Sequence, residues 1–263
     1  MSQLTPQSIR ALKGQRKISM ITCYDTPSAR IADQSEVDIL LVGDSVAMAV
    51  HGHDSTIQAS MEMMLLHVSA VRRGSQRKFI VADLPFLIHR LGKHQAVWEA
   101  GRLCQAGADA IKIEGLKGHD DVIEYMVESG IPVIGHTGLT PQSAVALGGW
   151  KVQGKTPDSA KKIIDEAKQL ESLGCFAVVL ECIPTPLAQT ITESVGVPTI
   201  GIGAGKFTDG QVLVWHDMLG IDLDFKPKFV RHYCQLQPVK IQALNDYHQS
   251  VVSGNFPSEE EQY

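Results

Sequence analysis

The sequence predicts a single (β/α)8 TIM barrel with an extra N-terminal helix, and three observations predict it. About eight short apolar runs recur along the chain, most of them rich in Val and Ile and too short for helices, so they read as buried strands. Segments of helical character lie between many of them. That alternation implies parallel strands joined by crossover helices. The chain has 263 residues, 44% of them hydrophobic, which suits one large core of the size such barrels take. A doubly wound open sheet is the alternative arrangement of the same alternation. Residues 1–263 are read as one barrel domain, with an acidic C-terminal tail at about 254–263.

In chain order, Leu4-Thr5-Pro6-Gln7-Ser8 opens the first helix, with Thr as N-cap and Pro at the first helical position. The strands follow at Ile18–Thr22, Ile39–Gly43, Phe79–Ala82, Ala110–Ile113, Val133–Gly135, Phe176–Leu180, Thr199–Ile202 and Val212–Trp215. Helical stretches between them include Ser60–Arg73, His94–Ala106, Asp120–Glu128 and Pro157–Leu173. The opening pentapeptide returns as Leu139-Thr140-Pro141-Gln142-Ser143. It reads as a second helix start with the same capping chemistry, not as a domain repeat. The tail from Gly254 to Tyr263 is expected to fray.

Composition excludes several classes. The formal net charge of -5 gives no global basic bias towards nucleic acid. The densest basic cluster, Arg72-Arg73-Gly74-Ser75-Gln76-Arg77-Lys78, reads as a solvated helix end. Cys23, Cys104, Cys175, Cys182 and Cys234 are odd in number and scattered, with no CxxC. This argues against a disulfide framework and a structural zinc site. The first residues hold no apolar signal core, and no stretch of about 18 residues is apolar throughout. A cytoplasmic protein with no membrane partner is expected.

The polar residues fall at one end of the strands. Strand two ends in Asp44-Ser45 and strand three in Asp83. Strand four carries Lys112 and Glu114, strand five ends in His136, and strand six in Glu181. The last two strands run into Gly201–Gly205 and His216-Asp217. In a (β/α) barrel the carboxyl ends of the strands surround the mouth that holds the active site. Any one such Asp reads more simply as a turn or cap residue. Together they bring several like charges into the volume of a small molecule, which a hard divalent cation such as Mg²⁺ offsets. Asp44 and Asp83 are the first metal candidates, and Glu114 is a third ligand, direct or through water.

Lys112 has two readings, a Schiff-base amine or a cation that holds a substrate carboxylate. It is two residues from Glu114, on the same strand face, and a nearby carboxylate favours the cation. Glu181 follows a long apolar run, so burial is expected to raise its pKa towards that of a general base. His51 and His53 lack a third soft ligand, so loop ordering is preferred to zinc. Gly201–Lys206 fails the P-loop spacing and reads as a turn or a close backbone approach.

The chain resembles the ketopantoate hydroxymethyltransferase family from about Ile18 to its end. The motifs are VGDS at Val42–Ser45, GHDST at Gly52–Thr56, ADLPF at Ala82–Phe86, KIEG at Lys112–Gly115 and GLTPQS at Gly138–Ser143. They continue with GGWKVQGKT at Gly148–Thr156, LEC at Leu180–Cys182, and GIGAG with TDGQVLVWHD between Gly201 and Asp217. The resemblance implies a (β/α)8 barrel that binds Mg²⁺ and takes 5,10-methylenetetrahydrofolate as one-carbon donor. It implies conversion of 3-methyl-2-oxobutanoate to ketopantoate, on the way to pantothenate and coenzyme A, by a homodecamer. Carried over residue by residue, Asp44, Asp83 and Glu114 bind metal, Ser45 and Lys112 contact the keto acid, His136 lines the site, and Glu181 is the catalytic base. Ala47, His51, Gln58 and Leu116 depart from the usual pattern, and none of the departures removes a charged site residue. Rival readings are another Mg²⁺-dependent 2-oxo acid lyase or mutase of the phosphoenolpyruvate type, a Schiff-base aldolase, and a non-catalytic barrel that binds an anionic metabolite.

Overall fold

The computed structural model describes residues 4–223 and 227–263. The chain divides into two compact units, Met1–Val214 and Trp215–Tyr263.

The first unit is the barrel. Helix α1 (Pro6–Ala11) is followed by β1 (Ile18–Thr22), α2 (Thr26–Gln34), β2 (Ile39–Val42), α3 (Val46–Ala49), α4 (Met61–Gly74) and β3 (Phe79–Asp83). Then come α5 (Lys93–Ala106), β4 (Ala110–Glu114), α6 (Asp120–Glu128), β5 (Val133–Gly138), α7 (Pro157–Ser172), β6 (Ala177–Glu181), α8 (Thr185–Ser194), β7 (Thr199–Ile202) and β8 (Gly210–Leu213). The strands pair in sequence order and close, β8 lying parallel to β1 with Ile18 opposite Gly210. The open-sheet alternative is therefore excluded. Among the described residues no helix is long and apolar enough to cross a membrane.

The period of two along each strand sorts residues between the barrel interior and the helix layer. Ile18, Met20, Ile39, Leu41, Phe79, Val81, Ala110, Ile134, Ala177, Val179, Ile200 and Val212 form one buried interior cluster. Ile9 of α1 joins that cluster and Leu12 packs on it, so α1 closes the N-terminal end of the barrel. Thr5 caps α1 through a full capping box with Ser8, as its sequence predicts.

Two differences from the sequence reading have physical causes. The last strand lies two residues earlier than Val212–Trp215, because Gly210 opens it and Trp215 begins a short helix. A Cβ on Gly210 would stand 2.5 Å from the Ile18 carbonyl oxygen, so the barrel closes on a residue that carries no apolar signal. The second LTPQS segment starts no α-helix. It makes one 3-10 turn at Pro141–Ser143, and Thr140 makes no side-chain cap.

The basic cluster at the end of α4 is also less free than a solvated helix end. Arg72 bonds Asp109, Arg77 bonds Asp33, and Lys78 bonds the Ser35 carbonyl. All five cysteines are free thiols.

The second unit holds α9 (Trp215–Leu219) and α10 (Leu236–Val252), with no buried residue in either. Tyr233 N–H donates to the Met218 carbonyl and Gln237 N–H to that of Gly220. The acidic tail ends in an exposed 3-10 turn at Glu259–Glu261, capped by Ser258. His216 and Asp217, expected after the last strand, belong to this unit.

Candidate active site

The same alternation that fills the lower barrel with aliphatic side chains turns polar at its upper end. On β4, Ala110, Lys112 and Glu114 share the inward face, so the apolar first residue gives way to a cation and then an anion. The register sets Asp83 beside Lys112, Glu114 beside His136, and Gly138 beside Glu181. Asp44 lies just past β2, where Gly43 makes room. A Cβ on Gly43 would meet Ser45 Oγ at 2.7 Å and Asp83 Oδ2 at 3.5 Å.

All the predicted site residues except Ser45 enter one contact network, and Ser45 borders it. Lys112 Nζ lies 3.0 Å from Asp83 Oδ1 and 3.5 Å from Glu114 Oε1. His136 Nδ1 is 3.3 Å from Lys112 Nζ and 3.5 Å from Glu114 Oε1. Its Nε2 lies 3.2 Å from Glu181 Oε2 but off the direction of a good hydrogen bond, so the contact is mainly electrostatic. Asp44 N–H donates to Asp83 Oδ2 at 3.0 Å. Asp44, Asp83, Lys112, Glu114 and His136 are all buried, while the Glu181 side chain keeps 12% exposure at the rim. The residue after Glu181 is Cys182, with a left-handed backbone at φ 46° that a non-glycine residue rarely adopts.

Gln142 was not predicted. It comes from the second LTPQS segment, and it ties three elements together. Its Nε2 donates to Asp44 Oδ2 and to the Leu84 carbonyl, both at 2.9 Å. Its backbone N–H donates to Glu114 Oε2 at 2.9 Å. The available signal was the repeat itself, since the second copy follows a strand that ends in site residues.

The charges set the protonation states. Burial, with the charges of Asp83 and Glu114, raises the Asp44 carboxyl well above the ordinary range. Burial acts to lower Lys112, but Asp83, Glu114 and Asp44 outweigh it and hold the ammonium above its usual range. Lys112 is thus a cation and not a free amine, which argues against the Schiff-base aldolase. Burial works to raise Glu114, but Lys112 and then His136 bring it below the ordinary value. Burial and Lys112 act to lower His136, and its contacts with Glu114 and Glu181 overcome them and push it up to about 9.

The donor set fits a hard divalent cation. Asp83 Oδ1, Glu114 Oε1 and Gln142 Oε1 are buried oxygens that receive no directed hydrogen bond. Among the described residues, however, no three His, Cys, Asp or Glu side chains converge as a ready-made metal centre. Lys112 Nζ stands between the carboxylates instead. His51 stays outside this cluster and bonds His67.

Comparison with known proteins identifies the family. The chain is 55% identical over 250 residues to a 3-methyl-2-oxobutanoate hydroxymethyltransferase of Legionella pneumophila, covering 95% of each chain. It is 49% identical over 254 residues to the protein of that name from Thermotoga neapolitana, covering 97% of this chain and 94% of the other. Among solved structures, a phosphonopyruvate hydrolase in complex with oxalate and Mg²⁺ superposes with a TM-score of 0.64 at 13% identity, covering 98% of this chain and 93% of that one. A 2,3-dimethylmalate lyase of the PEP mutase/isocitrate lyase superfamily gives 0.59 at 15% identity, with 98% and 92% covered. These two likenesses establish the fold alone. The family model for ketopantoate hydroxymethyltransferase matches residues 3–259. The chain therefore belongs to the ketopantoate hydroxymethyltransferase family and is an enzyme of the transferase class.

Proposed function

We propose that this chain moves a hydroxymethyl group from 5,10-methylenetetrahydrofolate to 3-methyl-2-oxobutanoate, giving ketopantoate. The observation that carries the reading is the buried cluster at the barrel mouth, where acid, cation and base sit within one small volume. Asp44, Asp83 and Glu114 would hold Mg²⁺, with the Gln142 amide oxygen beside them. A divalent cation held there supplies electrophilic stabilisation of the charge that develops on the ketone oxygen.

The chain's own residues supply the rest. Lys112 stays an ammonium and, with Ser45, holds the keto acid carboxylate, which orients the C3–H bond towards Glu181. Glu181 takes the C3 proton, and the electron pair released forms the enolate. Water releases the donor's methylene carbon as formaldehyde: both of its carbon–nitrogen bonds break, the water oxygen stays on the carbon, and the two water protons go to the nitrogens of tetrahydrofolate. The enolate carbon then bonds to that carbon, and the oxygen takes back the proton held by Glu181 to become the new hydroxyl. His136, charged and 3.2 Å from Glu181, fixes where that carboxylate stands at the rim of the site. The decameric assembly implied by the resemblance is testable by light scattering on the purified chain.

The experiment is proton exchange at C3 of 3-methyl-2-oxobutanoate in D₂O, followed by NMR without folate. Exchange that needs Mg²⁺ and stops with excess EDTA is the expected result. Should exchange be absent even with tetrahydrofolate present, the reading fails.

A further inference from the structure

Ser45 occupies the N-cap position of α3, yet its side chain caps nothing. N-cap serines ordinarily spend their oxygen on a free backbone N–H. This one is held from elsewhere, by Tyr24 Oη at 2.8 Å. Tyr24 follows β1 and is 2% exposed, so its phenol reaches Ser45 through packed interior. A side chain at residue 43 would collide with Ser45 Oγ in this position. The hydroxyl is therefore fixed by Tyr24 on one side and by the missing Cβ of Gly43 on the other.

Tyr24 is itself anchored. Its carbonyl oxygen accepts from His67 Nδ1, and His67 is a buried residue of α4. A carbonyl only accepts, so Nδ1 carries the hydrogen. The other ring nitrogen, Nε2, lies 2.9 Å from His51 Nε2, one of the two donating and the other accepting. His51 sits in the exposed loop after α3, where its ring also stacks on His53. One continuous path of hydrogen bonds thus runs from the Ser45 side through Tyr24 and His67 to the loop at the mouth.

We infer that Tyr24 and His67 are positioning residues: Tyr24 sets Ser45 Oγ for the substrate carboxylate, and His67 fastens Tyr24 and the 46–53 loop together through His51. The inference rests on the reading of Ser45 as a keto acid contact. A preset hydroxyl binds the carboxylate without the cost of ordering it on arrival. Its loss falls first on KM, through weaker binding of the carboxylate, and lowers kcat as far as the C3–H bond is less well aimed at Glu181.

The test is calorimetric binding of 3-methyl-2-oxobutanoate to the full chain with Mg²⁺, for wild type, Tyr24→Phe, Ser45→Ala and the double variant. Tyr24→Phe and Ser45→Ala are each expected to weaken binding about tenfold, with C3 exchange at saturating keto acid reduced alike in the two variants. The double variant should bind no more weakly than Ser45→Ala, since both changes remove one interaction. Wild-type affinity in Tyr24→Phe, or losses that multiply in the double variant, would overturn the role of Tyr24. Failure of the wild type to bind the keto acid would instead remove the functional reading and this inference with it. For the second half, His67→Leu and the exposed-site variant His51→Ala should each speed amide hydrogen exchange across residues 46–53 about tenfold. Unchanged exchange in His51→Ala overturns the link to the loop, even if His67→Leu fails to fold.

Discussion

The two ends of this barrel treat charge in opposite ways. At the amino ends of the strands four aspartates each have a cation of their own. Asp38 pairs with Arg16 at 2.6 Å, Asp209 with Lys13 at 2.8 Å, Asp109 with Arg72 at 2.5 Å and Asp33 with Arg77 at 2.9 Å. At the carboxyl ends Asp44, Asp83, Glu114 and Glu181 crowd around Lys112 and His136. Two buried carboxylate oxygens there receive no directed hydrogen bond. Balanced, locally satisfied charge stabilises a fold. An unbalanced, half-satisfied cluster costs stability and is kept where a ligand completes it. The lower end is built for the chain itself, and the upper end is built for something the chain must bind.

Substitutions at the two ends should therefore separate activity from stability. The largest effect is expected at the upper end. Glu181→Gln should slow Mg²⁺-dependent C3 exchange by about 10²–10⁴-fold, the range that general bases supply. Its denaturation midpoint should stay close to wild type, because Glu181 is at the rim. Asp209→Ala at the lower end should do the reverse. Asp209 accepts from Lys13 Nζ and from the Thr199 N–H and hydroxyl, all largely buried. Its removal should cost about 3 kcal/mol in urea denaturation, because buried donors lose their partner, and should leave the exchange rate per folded molecule unaltered.

How much of this contrast was legible in the sequence depends on the range of the signal. The upper cluster was legible because strand parity is local. Asp83, Glu114, His136 and Glu181 each end a short apolar run, Lys112 lies two residues before Glu114, and an alternating strand sends them inward together. Gln142 escaped because its pentapeptide is a twin of Leu4–Ser8, and the two copies differ only in what surrounds them. In the first, Thr5 and Ser8 satisfy one another across a helix end. In the second, Gln142 finds Asp44 across 98 positions of sequence. No window of residues contains that partner. The pairing of His51 with His67 was hidden for the same reason, since it needs the placement of α4. The last strand was misplaced because its first residue is glycine, chosen for close approach to Ile18 and not for hydrophobicity.

A smaller effect tests the crowding directly. The Asp44 carboxyl is raised by burial and by its acidic neighbours. The folded protein thus holds that proton more tightly than the unfolded chain does. For such a group, stability falls as pH rises from the ordinary carboxylate range through the raised value. Asp44→Asn should remove that loss and make the metal-free protein more stable at neutral pH, by about 1 kcal/mol, while Mg²⁺ affinity drops. In the wild type, Mg²⁺ affinity should climb with pH as Asp44 ionises. Calorimetry in two buffers of different ionisation enthalpy should show protons released on binding. Metal affinity independent of pH would remove Asp44 from the set.

The smallest effect, and the sharpest in sign, lies with Arg16. It grips Asp38 through two nitrogens, at 2.9 and 2.6 Å, but the arginine side chain is 49% exposed. Solvent screens such a pair, and Asp38 keeps its bonds from the Ser19 N–H and hydroxyl when the arginine is gone. Arg16→Ala should therefore cost no more than about 1 kcal/mol at neutral pH, and less in high salt. Burial acts to raise Asp38, but Arg16 and Ser19 overcome it and hold the carboxyl below its ordinary value. The unfolded chain takes up that proton first as pH falls. The pair's contribution is thus present above the ordinary carboxylate range and is lost below it, the reverse of Asp44. Denaturation of Arg16→Ala and Asp44→Asn across the acid range should give difference curves of opposite slope. Parallel slopes would mean that the two ends of the barrel do not differ in the way their contacts require.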